Sequence, residues 1–165
     1  MHLRFERVSL DVADLYRKHG GMVFRRARAI LGDDERARDV VQDVFLLLHR
    51  QRDGMRSGGL ASWLYTTTTH RCFNVLRNDG NRSRLLGVAR TTSATEQADQ
   101  GENLVLLRGL LPDIDEETAT LAIHRFVDEM THAEIAAQMG CSRRHVGNLL
   151  ERLEQRLATL RAAAS

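Results

Sequence analysis

The stretch MTHAEIAAQMGCSRRHVGNLLERL, residues 130–153, constrains the fold more tightly than any other part of the chain. Thr131 followed three residues later by Glu134 is a capping-box pattern, in which side chains satisfy the free backbone donors at a helix start. Ile135, Ala136 and Met139 give that helix an apolar face, and Ala136 is small enough for a second helix to pack closely. Gly140 suits the left-handed conformation that ends a helix in a tight turn. Ser142 caps a second helix, with Val146, Leu149, Leu150, Leu153 and Leu157 on its inner side. Two short helices around a tight glycine turn form the helix-turn-helix pattern, and the first residues of its second helix enter the DNA major groove. Here they are Ser142, Arg143, Arg144 and His145, with Asn148 and Arg152 further along. Arginine pairs with phosphate or guanine and asparagine with adenine. Cations at a helix start oppose the helix dipole, so two arginines there point to an external anion. The competing reading is a helical hairpin that only packs.

The remainder of the chain also predicts helices. Its 165 residues allow one domain or two small ones, and only 5% are aromatic, with a single proline at Pro112. No apolar run reaches the ~20 residues of a membrane span, and the first residues carry no apolar signal segment. Cys72 and Cys141 lie far apart, which suits a reducing compartment and argues against a disulfide scaffold. The expectation is a soluble, cytoplasmic, all-α protein without membrane insertion. Its charge is uneven: residues 1–85 hold 16 basic and 10 acidic groups, residues 86–165 hold 8 and 12. Every basic residue but Lys18 is arginine, which favours phosphate and guanine edges, although GC-rich coding yields the same bias.

Residues 87–103, GVARTTSATEQADQGEN, are small and polar, and read as a flexible linker. They divide the chain into modules 1–86 and 104–165. In the first module, Val12, Leu15, Tyr16, Val23, Phe24, Ala27 and Ile30 keep a helical period, which Gly20-Gly21 is expected to break or bend. A second helix follows the stop at Gly32, capped by Asp33 or Asp34, with Ala37, Val40, Val41, Val44, Phe45 and Leu48 inside. Its opposite row holds Asp39, Asp43, Leu46 and Arg50, with Gln42 alongside. A leucine among charges is either a stray exposed residue or part of a protein-docking face. After the basic, glycine-rich loop 51–59, LASWLYTTTTHRCFNVLRNDG offers both strand and helix patterns. The absence of a partner strand favours the helix, with Leu60, Leu64, Thr68, Cys72, Val75 and Leu76 inside. Thr67, His70, Asn74 and Arg77 then form an outward row able to hydrogen-bond, or simply a solvated face. In the second module LVLLRGL stops at Pro112, and Asp115 caps DEETATLAIHRFVDEM.

Taken together, these motifs resemble the bacterial RNA polymerase sigma factors of the sigma-70 family, in particular the small two-domain extracytoplasmic-function class. DERARDVVQDVFLLLHR is similar to region 2.2, with Asp39, Gln42, Asp43 and Phe45 filling its pattern. LASWLYTTTTHRCFNVLR is similar to regions 2.3 and 2.4, and Leu111-Pro112 with the helix-turn-helix resembles region 4. The resemblance implies a region 2 bundle and a region 4 helix-turn-helix. It also implies that Asp39, Gln42, Asp43, Leu46 and Arg50 dock on the clamp helices of the polymerase largest subunit. By the same resemblance Arg56, Ser57, Trp63, Thr67, His70, Asn74 and Arg77 hold the unwound −10 strand, whose flipped bases need pockets and hydrogen-bond donors. Ser142, Arg143, Arg144, His145, Asn148 and Arg152 read the −35 duplex. Implied partners are core RNA polymerase, including its flap, promoter DNA and an anti-sigma factor. No catalytic group, cofactor or metal is expected. Two positions depart from the family pattern: Gly147 and Leu149 stand where basic residues often assist phosphate contact.

Three other readings compete. A zinc site would need Cys141, His145, His124 and His132 to converge. A stand-alone helix-turn-helix regulator accounts for the second module but leaves the Asp39, Leu46 and Arg50 face unexplained. A sigma-like polymerase adaptor without promoter recognition fits the missing basic residues at 147 and 149.

Overall fold

The computed structural model describes residues 11–51, 55, 57–87 and 102–165. Within them every regular element is helical: α1 (Val12–Leu31), α2 (Asp34–Gln51), α3 (Leu60–Leu86), α4 (Glu102–Leu110), α5 (Glu116–Phe126), α6 (His132–Met139) and α7 (Arg143–Ala164). Single 3-10 turns occupy Ser57–Gly59 and Leu111–Asp113. The fold is all-α, as the patterning indicates.

Local chemistry sets most of the boundaries. Asp11 caps α1 by accepting from the Ala13 amide at 3.0 Å. Gly32 ends that helix at φ +72°, donating its amide to the Arg28 carbonyl. The left-handed φ is what favours glycine there; a side chain would also meet the Arg108 guanidinium, 2.8 Å from the nearest atom, and displace that flexible group. Asp33 rather than Asp34 caps α2, through the Arg36 amide at 2.8 Å. The expected break at Gly20-Gly21 does not occur: α1 is continuous through both residues, and Gly20 is buried. Flexible glycines weaken an isolated helix by ~1 kcal/mol each against alanine, but the flanking apolar stripe, Leu15, Val23, Ala27 and Ile30, holds α1 by burial.

Helices α1, α2 and α3 pack mutually, and α7 packs against α4, α5 and α6. Ala37, Val40, Val41, Val44, Phe45 and Leu48 are all buried on α2. On α3 the buried residues include Leu60, Leu64, Thr68, Cys72 and Leu76, with Val75 half-buried. The four-threonine run is helical, and its inward hydroxyls are satisfied locally. Thr68 donates to the Leu64 carbonyl at 2.6 Å and Thr69 to the Tyr65 carbonyl at 3.0 Å.

The Leu111–Asp113 turn touches α3, and the buried apolar residues of α1–α3 and α4–α7 join into one cluster. The expected linker, residues 87–103, falls mainly outside the described residues. Helix α4 begins at Glu102, so the last two residues of that stretch are helical.

Leu48 is fully buried and Leu46, two residues away, is 57% exposed. Leu48→Ala is expected to lower unfolding stability by about 2–5 kcal/mol. Leu46→Ala is expected to change it by less than about 0.5 kcal/mol. Urea denaturation of the two variants measures the contrast.

Candidate nucleic-acid and polymerase interfaces

The helix-turn-helix forms as its sequence indicates. Thr131 accepts from the Glu134 amide at 3.3 Å, and the Glu134 carboxylate accepts from the Thr131 amide at 2.7 Å. That backbone bond is the main cause holding the Glu134 carboxyl below its ordinary range. Gly140 adopts φ +67°, and Cys141 donates its amide to the Ala136 carbonyl at 3.0 Å. Ser142 then caps α7 by accepting from the His145 amide at 3.1 Å.

Arg143, Arg144, Asn148 and Arg152 are exposed on the outer side of α7, while Val146, Leu149, Leu150, Leu153 and Leu157 are buried. Leu149, only 7% exposed, therefore belongs to the core and is unavailable for phosphate contact. No atom outside the local backbone lies within 4 Å of a side chain placed at Gly147. Nothing in the folded chain explains glycine at that position.

The candidate polymerase row also forms. Asp39, Gln42, Asp43, Leu46 and Arg50 are all exposed on α2, opposite its buried stripe. Tyr16, 53% exposed, lies edge-on to Phe45 at a centroid distance of 5.1 Å. The exposed apolar surface of the first three helices therefore includes a residue from α1.

The −10 candidates are more dispersed. Arg56 lies outside the described residues, and Ser57 starts the 3-10 turn ahead of α3. Trp63 is half-buried against the core, and Thr67 and Arg77 are half-buried. His70 and Asn74 are exposed. His70 reaches Glu116 on α5, with Nε2 and Oε1 3.3 Å apart. His145, a −35 candidate, reaches the next residue, with Nε2 2.7 Å from Glu117 Oε1. The two candidate DNA sets thus converge on adjacent carboxylates. Around them opens a cavity of about 300 Å³ lined in part by Tyr65, Thr66, Thr69, Thr120, Gln138 and Met139.

Beneath that cavity lies a polar cluster not evident from the motifs. Arg26, 7% exposed, donates from Nε to Thr69 Oγ1 at 2.9 Å and from Nη1 to Asp128 Oδ1 at 2.6 Å. Its guanidinium also covers the Tyr65 ring, 3.2 Å from the centroid. Tyr65 stacks on His124, whose Nδ1 lies 3.0 Å from Asp128 Oδ2. Burial alone would raise the Asp128 carboxyl; hydrogen bonding to His124 and then Arg26 outweighs it and holds the group at about 2. The Tyr65 hydroxyl is pushed up, chiefly by its burial and then by Asp128. Burial also pushes the Cys72 thiol up to about 12, consistent with a core side chain. Arg26 falls on the Val23 and Ile30 row of α1, and an arginine on an apolar stripe is the one signal that could have marked it. Asp128 lies beyond the end of α5, outside any periodic pattern.

The zinc reading does not hold among the described residues: no group of three or more His, Cys, Asp or Glu side chains is placed to hold a metal ion. No described helix is long and apolar enough to cross a membrane.

Residues 15–91 match the Sigma-70 region 2 family. Over 59 residues the chain is 42% identical to the RNA polymerase sigma factor SigF of Mycobacterium tuberculosis, in both strains CDC 1551 / Oshkosh and ATCC 25618 / H37Rv. That match covers 36% of this chain and 23% of SigF, so the aligned part spans less than a quarter of the relative's length. The whole fold is similar to the sigma factor RpoE from Bartonella quintana, solved in complex with the anti-sigma factor NepR. That likeness has TM-score 0.54 and 18% identity, and covers 89% of this chain and 96% of that one. Over residues 15–91, just under half of its length, the chain is similar to region 2 of the sigma-70 family.

Asp128 gives this arrangement a distinct acid sensitivity. Its folded-state pKa lies below its ordinary value, so its contribution is complete above about pH 4 and lost as pH falls toward about 2. The shift is worth roughly 2 kcal/mol. The stability difference between the parent and Asp128→Asn is expected to shrink by that amount between about pH 5 and pH 2. Urea titrations at several pH values check it; a difference independent of pH contradicts the assignment.

Proposed function

We propose that the chain is a promoter-specificity factor of the small extracytoplasmic-function class, which binds core RNA polymerase and directs it to promoters. The observation that carries this reading is the α2 surface within the region 2 match. Leu46 stands 57% exposed in a row with Asp39, Asp43 and Arg50, opposite a fully apolar inner stripe. An apolar residue in a charged row suits a protein partner that buries it within a polar rim. The clamp helices of the polymerase largest subunit are that partner by family resemblance.

The DNA-facing roles follow from chemistry and placement. Exposed Arg143, Arg144, Asn148 and Arg152 supply phosphate and base contacts at the −35 duplex, with Ser142 and His145 at the helix start. Trp63, Thr67, His70, Asn74 and Arg77 on α3, with Arg56 and Ser57 ahead of it, face the opened −10 strand. The second module is net acidic, so its own duplex affinity is low. The polymerase flap supplies the remaining hold on it. Chemistry resides in the polymerase, and the chain contributes address and strand opening in the cytoplasm. An anti-sigma factor is the expected restraint, as in the structure of RpoE with NepR.

Run-off transcription with core polymerase tests this reading. Promoter-specific transcripts that require the chain support it. Duplex binding without polymerase supports a stand-alone regulator, and polymerase binding without initiation supports an adaptor. Leu46→Asp is expected to weaken core binding at least roughly tenfold, about 1.4 kcal/mol, with its thermal unfolding unchanged. Arg143→Ala is expected to reduce initiation at −35-dependent promoters by about 1–3 kcal/mol of lost contact.

A further inference from the structure

Gly147 is the one glycine of α7, and nothing among the described residues requires it. Its backbone is right-handed helix; the left-handed glycines of the described residues are Gly32, Gly87 and Gly140. A side chain placed at Gly147 would meet nothing within 4 Å outside the local backbone. Glycine in a helix interior is ~1 kcal/mol less favourable than alanine, and here neither packing nor a turn offsets the difference.

The position lies at the centre of the outward face of α7. Residues three and four apart share a helix face, so Arg143 and Arg144 flank Gly147 on the preceding turn and Glu151 on the next. Asn148 stands alongside, and all four side chains are exposed. The result is a shallow notch of bare backbone rimmed by long polar side chains. Gly147 is the fifth residue of α7, so its amide is committed to the helix ladder. The notch therefore offers no free donor to a phosphate oxygen or to a polar base edge, and the Glu151 carboxylate repels phosphate. An apolar group needs only the room. In the major groove the apolar group on offer is the 5-methyl of thymine.

We propose that Gly147 is a specificity-determining residue of α7, its missing side chain seating the 5-methyl group of a thymine in duplex DNA. The proposal rests on the duplex-reading role given to α7 above. Asn148 suits adenine, and Arg143 and Arg144 suit guanine; the notch adds thymine to the bases this helix distinguishes. It also accounts for the departure at position 147. A basic side chain there would gain a phosphate contact but fill the seat.

The test moves one methyl group between DNA and protein. Duplexes are selected from a random-sequence library by the full chain with core polymerase. In parallel the full chain alone selects at low salt, where phosphate contacts are strongest. Each thymine of a selected site is then replaced in turn by deoxyuridine, which removes only the methyl group, and binding is followed by fluorescence anisotropy. The parent chain is expected to bind about fourfold more weakly when one particular methyl is removed, the effect of burying one such group. Gly147→Ala is expected to bind the thymine duplex at least roughly fivefold more weakly than the parent, through overpacking. On the deoxyuridine duplex the same variant is expected to recover to within about twofold of the parent on thymine, since one methyl then fills the seat again. Its thermal unfolding is expected to be unchanged or higher, which separates the loss from misfolding.

An equal loss by Gly147→Ala on both duplexes, no loss on either, no thymine whose methyl matters, or no selected site would each overturn the seat. Promoter-specific initiation by the parent alongside any of those results leaves the sigma reading standing. Methyl exchange on duplexes that never support initiation by core polymerase upholds the seat and removes the sigma reading instead.

Discussion

The Arg26–Asp128 ion pair organises more of this molecule than any other polar contact. It joins α1 to the turn after α5, a separation of 102 residues in sequence, at 2.6 Å. Removing two charges from water is costly unless their remaining hydrogen-bonding capacity is met. Here Thr69 takes the Arg26 Nε, Tyr65 lies under the guanidinium, and His124 contacts the second carboxylate oxygen. Such a network specifies one arrangement of its helices, because any shift leaves a charge buried without its partner. The orientation of α5, and with it the position of Glu116 and Glu117 near His70 and His145, depends on that arrangement.

The proposed function places opposite demands on the two surfaces of these helices. Inside, α2 and α7 carry uninterrupted apolar stripes, and the cost of replacing a buried leucine is large. Outside, the same helices present leucine, arginine and asparagine where solubility alone requires only charge. The α2 row and the α7 N-terminal turns thus each pack on one side and, in the proposed function, meet a partner on the other. Leu149 marks the limit of that economy: it stands beside Asn148 in sequence, yet its side chain belongs wholly to the core.

Much of this was legible in the sequence because it depends on local rules. Capping by Asp33, Thr131, Ser142 and Asp115, the left-handed glycines at 32 and 140, and the inner stripes of α2 and α7 all follow from neighbours a few residues apart. The Gly20-Gly21 break was misjudged because burial of the flanking stripe outweighs the intrinsic weakness of two glycines. Of the candidate sites, the α2 row and the arginines of α7 are displayed as their spacing suggests. The convergence of His70 and His145 on α5 and the burial of Arg26 were not legible. They arise from contacts between residues 28 to 102 positions apart, which no periodicity encodes. Gly147 has no internal packing reason, and the sequence alone did not supply one either.

The central claim is that this chain lets polymerase open promoter DNA at chosen positions. Permanganate footprinting of unpaired thymines tests it most directly, on promoter fragments selected from a genomic library by core polymerase together with the chain. The account predicts reactive thymines around the −10 element only when core polymerase and the chain are both present, with loss of that signal in Leu46→Asp. Duplex protection by the chain alone, with no polymerase-dependent strand opening, would contradict it.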